Sequence, residues 1–213
     1  TFFTGGAMLL ATVCMWFGDV IGESSAGHYN RQVDGSFRMG MVWFIFSEVM
    51  FFCAFFGALF YTRVLTLPWL GGEGDGVMTN ELLWNGYSAA WPTNGPGTIG
   101  GQFQTIAAWG FPLINTLILL SSGVTLTIAH HALKGGRRGG LLLWLSLTIL
   151  LGCVFLLLQA EEYIHAYTEL NLTLGSGIYG STFFMLTGFH GMHVLLGTIM
   201  LAVMYISSSV LTI

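Results

Sequence analysis

Between Arg38 and Arg63 the chain runs 24 residues with a single formal charge, Glu48, near the middle. A hydrocarbon layer about 30 Å thick is crossed by roughly 20 apolar residues rising 1.5 Å each. The stretch Phe37–Leu65 therefore predicts a membrane-spanning helix, with an arginine near each end to reach the headgroups. Glu48 falls close to the midplane, where a carboxylate must be protonated, paired or turned to a polar cavity. Its neighbours at helical spacing, Met41, Phe44, Ile45, Phe51, Phe52 and Phe55, are all apolar. A partner for Glu48 must come from another helix, a lipid headgroup, water or a proton.

Composition extends this reading to the whole chain. Of 213 residues, 54% are hydrophobic and 8% charged, against about 25% charged in a soluble domain. The apolar runs are long and continuous rather than alternating over ten residues, which predicts helices and not a barrel. The expected fold is all-α: a polytopic transmembrane helix bundle in a single membrane domain, 1–213. Its five spans are read at about 1–21, 37–65, 109–133, 139–163 and 177–207, with a long external loop at 66–108. Six Lys and Arg and a net charge of −4 exclude a nucleic-acid surface. Cys14, Cys53 and Cys153 each sit in an apolar run without a CxxC pair, and read as small packed hydrophobes. The chain opens on Thr1 in an already apolar segment, without Met, which predicts further residues before it.

The basic residues set the sidedness. Lys134, Arg137 and Arg138 share one short loop, which the positive-inside rule places in the cytoplasm. Alternation then puts 66–108 and 164–177 outside, and neither holds Lys or Arg, while 21–36 falls inside with Arg31. The external loop is rich in Gly, Pro and Asn, and Trp69, Trp84, Trp91 and Trp109 suit a cap at the membrane surface. Asn115, Thr116, Ser121, Ser122, Thr125 and Thr127 make the third span rich in small polar residues, as helix–helix faces often are. Around the first loop, 21–36, Asp19 and Glu23 share a helical face, with Arg31, Arg38 and His28 as candidate cations. A solvated loop and a headgroup site both fit that set.

Buried polar groups are expected at Glu48, Glu162, His190 and His193. His190 and His193 lie three apart on one face, as ligands of a metal site in a helix bundle do. A di-iron carboxylate site also needs Glu-x-x-His on two helices, and only Glu162 and His165 have that spacing, at a helix end. Hydrogen bonding to Glu162 or to loop carbonyls is the favoured reading for both histidines. His130 and His131 are adjacent, point in different directions and read as interfacial histidines beside a basic loop. No glycine-rich phosphate loop between a strand and a helix is present. The residues by themselves reach a polytopic helical protein with buried acids, part of a complex or a transporter.

Five motifs reach further. Tyr179–Gly197 (YGSTFFMLTGFHGMHVLLG) resembles the sixth helix of cytochrome c oxidase subunit III, Ile114–Leu133 the fourth, and Phe44–Phe52 (FIFSEVMFF) the third with its intramembrane glutamate at Glu48. Asp19–Ser24 (DVIGES) and Leu157–Tyr163 (LLQAEEY) match further marks of that family, in the same order. The family has seven helices, of which this chain would supply the second to the sixth. DVIGES, from the second helix, argues against the five-helix quinol oxidase subunit. The resemblance implies a non-catalytic subunit with no haem or copper of its own, the haem and copper lying in partner subunits. It implies subunit I as main contact, other oxidase subunits, cytochrome c as electron donor, and a bacterial plasma membrane with 134–138 cytoplasmic and 66–108 periplasmic. It also implies bound phospholipid in a cleft, with Glu23, His28, Arg38, Phe44 and Glu48 lining or neighbouring it, and a role in oxygen access and proton uptake. Gly22 and Tyr29 stand where many members have an arginine and a second histidine, so phosphate has fewer ligands here. A proton-linked transporter using Glu48 and Glu162 is the reading from another class; it would be expected to show inverted repeats, and no internal repeat is found.

Overall fold

The computed structural model describes residues 2–98 and 100–210. Thr1, where the first span is read to start, and Ile99 in the external loop lie outside the described residues. Among the described residues the chain is helical, with five helices long and apolar enough to cross a membrane. These are α1 (Phe2–Ser25), α2 (Arg31–Tyr61), α5 (Phe111–Lys134), α6 (Arg138–Thr168) and α7 (Gly177–Val210), separated by two short helices, α3 (Leu67–Leu70) and α4 (Val77–Leu83). The chain is thus a multi-pass membrane protein of the all-α class.

Several helices overrun their apolar stretches. The second begins at Arg31 and continues through a π-helical turn, Thr62–Thr66, into α3. The fourth span carries helical backbone to Thr168, beyond the Tyr163 at which its apolar character ends. Hydropathy marks where lipid begins and ends, whereas a helix stops where its backbone finds another partner. Asn30 supplies such a partner, its side-chain oxygen accepting from the amides of Gln32 (2.9 Å) and Val33 (3.0 Å) and opening α2.

Two compact units divide the chain, residues 1–54 and 55–213, with the boundary inside α2. In the first unit, α1 and its part of α2 have no buried residue among those described. Their polar side chains bond locally: Thr12 to the carbonyl of Met8, Ser25 to that of Ile21, Ser47 to that of Phe44.

The second unit holds the packed core, a three-helix set in which α6 lies against both α5 and α7. Within lipid there is no water to drive apolar surfaces together, so close backbone approach and interhelical hydrogen bonds carry the association. The sequence supplies both. Thr125 of α5 and Thr148 of α6 share a buried hydrogen bond of 2.7 Å. Ala129 and Ala132 pack against Leu141 and Leu145 near the turn between those helices. Between α6 and α7, a Cβ on Gly152 would come within 2.6 Å of Thr198 Oγ1, and one on Gly191 would strike the Gln159 amide. Arg138, at the start of α6, donates to the Ser209 carbonyl in the last turn of α7 (2.6 Å), a cation where the helix dipole favours one.

The long loop after α4 is laid across the neighbouring ends of α6 and α7. Asn171 Nδ2 donates to the carbonyls of Gly100 (3.2 Å) and Gln102 (2.9 Å), and the Gln104 amide donates to Leu170 O (2.9 Å). Phe103 stacks on Tyr179, which meets Trp91 edge-on. Gly177 opens α7 at φ +64 with the Asn94 backbone against its Cα, so no larger residue fits.

Candidate functional site

Asn115, in the second turn of α5, is 5% exposed. Its Nδ2 reaches the Phe155 carbonyl of α6 at 3.5 Å, long for a hydrogen bond, and its Oδ1 has no partner among the described residues. An unsatisfied amide oxygen away from water is costly, which marks this place as unusual. Asn115 lines a cavity of about 580 Å³ walled by α5, α6 and α7. Its other polar walls include Thr116, Gln159, Glu162, Tyr163, Thr187 and His190, among Phe155, Phe183 and Tyr179.

Helical spacing explains how these groups converge. Gln159, Glu162 and Tyr163 fall at i, i+3 and i+4 of α6, and Phe183, Thr187 and His190 at i, i+4 and i+7 of α7, each set on one helical face. Where the two faces meet, Gln159 Nε2 donates to the Thr187 carbonyl (2.8 Å), and the Tyr163 and Thr187 hydroxyls are 2.6 Å apart. Thr187 Oγ1 also donates to Phe183 O one turn back (2.7 Å). The ring of His190 meets Phe155 edge-on at 5.7 Å. The cavity thus combines one acid, one imidazole and neutral hydrogen-bonding groups, and no Lys or Arg lines it.

Three of the four polar residues singled out in the spans, Glu162, His190 and His193, lie on the packed pair α6 and α7. Glu162 and His190 face the one cavity, Glu162 half-buried and His190 exposed on its wall. His193 is half-buried, with Nδ1 2.6 Å from the Phe189 carbonyl of its own helix. Glu48 is half-buried on α2. His165, the other half of the Glu-x-x-His spacing, is turned to Glu169 at 3.2 Å. Among the described residues no group of three or more His, Cys, Asp or Glu is placed to hold a metal ion.

The candidate headgroup residues all fall in the first unit. Glu23 is exposed and accepts a 2.7 Å hydrogen bond from the Tyr29 hydroxyl, which lifts the Tyr29 pKa above the ordinary tyrosine value. Arg38 forms a 2.9 Å ion pair with Asp34 one turn away, so its guanidinium already has an anion. His28 and Phe44 are exposed. Asn115, Gln159, Tyr163 and Thr187 are visible in the sequence one by one. Their junction is a tertiary fact, and the only signal for it is an Asn inside a span together with the Gln/Glu/Tyr face of α6.

Comparison with known proteins gives one answer. The sequence profile of the family described as cytochrome c oxidase subunit III matches residues 1–82 and 84–211. The protein named cytochrome c oxidase subunit 3 from Danio rerio is 40% identical over 200 residues, covering 93% of this chain and 66% of its own length. That of Oncorhynchus masou gives the same figures, and that of Prototheca wickerhamii is 38% identical over 210 residues, 94% of this chain and 70% of its own. The chain thus spans just under two thirds of the two fish proteins.

Proposed function

The chain belongs to the cytochrome c oxidase subunit III family, and on that premise we propose that it acts as the non-catalytic subunit III of a proton-pumping cytochrome c oxidase. In this reading the complex passes electrons from cytochrome c to oxygen, giving water, with haem and copper held by partner subunits. This chain binds subunit I in the plane of the membrane, stabilises it, and supports oxygen access and proton uptake. The observation that carries the reading is similarity over nearly the whole chain to proteins of that name.

Glu23, His28, Arg38, Phe44 and Glu48 are proposed to contact phospholipid. For Arg38 the headgroup phosphate has to compete with Asp34 at 2.9 Å. The host membrane is proposed to be the plasma membrane of a bacterium, with Lys134, Arg137 and Arg138 on the cytoplasmic side.

Purification of the tagged chain in mild detergent, followed by an optical spectrum of what accompanies it, tests the reading. Haem absorbance, with oxygen consumption driven by reduced cytochrome c, is the expected result. Oxygen consumption with quinol alone moves the complex to the quinol oxidases, and a colourless protein without partners overturns the assignment.

A further inference from the structure

Helix α4 is built inside out. Its half-buried face is polar: Thr79 accepts from the indole N–H of Trp69 (3.1 Å), and Asn80 Nδ2 donates to the carbonyls of Leu70, Trp84 and Tyr87. Its outward face carries Met78 and Leu82, one turn apart and 62% and 73% exposed, with Leu83 at 68% where the helix ends. A helix on a water-facing surface shows the reverse arrangement.

The surroundings say what covers this face. Asn80 and Thr79 tie α4 to the last turn of the rod that ends at Leu70, so α4 sits at the depth of Trp69. The outward surface of that rod stays apolar up to this level, through Val64, Leu65 and Trp69, all about half exposed. Arg63 does not mark the edge of the lipid, because its guanidinium lies over the Trp91 ring at 5.7 Å. Tryptophan, half apolar and half hydrogen-bonding, prefers the headgroup boundary, and Trp69 and Trp84 flank α4. The face at Met78 and Leu82 is thus continuous with surface that meets acyl chains.

We propose that α4 lies in the headgroup layer on the side of the membrane opposite Lys134–Arg138, with Met78 and Leu82 turned to the acyl chains. Glu81 reaches from the same helix toward headgroup water, as long polar side chains at this boundary do. The long loop is thereby anchored to the bilayer at its start, while its later part is held by α6 and α7.

Nitroxide labels placed singly at Met78, Leu82 and Asp75 test this, in the protein purified with its accompanying subunits, reconstituted in liposomes and freed of Cys14, Cys53 and Cys153. All three label sites are exposed, so labelling leaves the packing intact. The expected result is an accessibility ratio of dissolved oxygen to a water-soluble nickel chelate several-fold higher at Met78 and Leu82 than at Asp75. Labels at Met78 and Leu82 that meet the chelate as freely as Asp75 place α4 in water and overturn the proposal. Labels shielded from both reagents identify a protein partner on this face and overturn it equally.

Discussion

Residues 2–54 and the α5–α7 set are both helical and both apolar, yet the polar bonds seen in them differ. In the first, Thr12, Ser25 and Ser47 bond back onto their own helix, and Tyr29 bonds Glu23 across the adjoining turn. In the second, several polar groups also reach across: Thr125 to Thr148, Gln159 to Thr187, Arg138 to Ser209. Four glycines show the same contrast. A Cβ on Gly18 or Gly22 meets nothing within 4 Å, whereas on Gly152 or Gly191 it meets a neighbouring helix. Apolar length is enough to put a helix in a membrane, but only small residues and paired polar groups give it a defined neighbour.

The sharpest way to break this comparison is to overfill one glycine in each region. Gly152→Leu drives a side chain into Thr198 and is expected to destabilise by about 1–3 kcal/mol, the usual range for overpacking. Gly18→Leu enters open space and is expected to be neutral or to stabilise by up to about 1 kcal/mol through helix propensity. Steric-trapping measurements of unfolding on the purified protein read both. Equal losses would mean that α1 is as closely packed as α7, by a partner in the membrane.

A smaller effect is expected from the interhelical hydroxyl pair. Thr148→Val removes the bond to Thr125 at nearly constant volume and is expected to cost about 0.6 kcal/mol, the mean for such bonds inside membranes, and at most about 1.7 kcal/mol. Thr12→Val removes only a bond to its own helix and is expected to cost less than the threonine pair. A double-mutant cycle on Thr125 and Thr148 isolates the pair, and a coupling near zero would show that the two hydroxyls find other partners.

The same division explains what the residues alone could tell. Hydropathy located the five long helices, because a span has to be apolar over its whole length whatever it packs against. The start of α2 at Arg31, its continuation through Thr62–Thr66 into α3, and the overrun of α6 to Thr168 escaped it, since Arg31, Pro68 and Glu161–Glu162 interrupt the apolar pattern without ending the helical backbone. Asn115 and Thr125 drew notice as polar residues in the third span, but which helix they face follows from the register of α5 on α6. Helix α4 lay inside a stretch read only as a Gly- and Trp-rich cap. Its period is too short to register, and its inverted faces appear only once Thr79 and Asn80 are seen bonded inward.

The least effect is expected in the first unit, at the side-chain tie across the turn from Tyr29 to Glu23. The Tyr29 hydroxyl donates to the Glu23 carboxylate, and this bond, more than burial or the Glu23 charge, raises its pKa above the ordinary value of about 10. A tyrosine raised on folding lends stability that is fully present below its unfolded pKa and is lost as pH climbs through the folded one. The tie should therefore hold through neutral pH and weaken only above pH ~10. The difference in tyrosinate absorbance near ~295 nm between the wild type and Tyr29→Phe isolates this residue among the seven tyrosines. Glu23→Gln is expected to return that titration toward the ordinary value with no measurable change in unfolding, because both groups are exposed. A Tyr29 titration unmoved by Glu23→Gln would mean that the turn between α1 and α2 is held by something other than this pair. The first unit would then have a fixed neighbour there, as α6 has in α5 and α7.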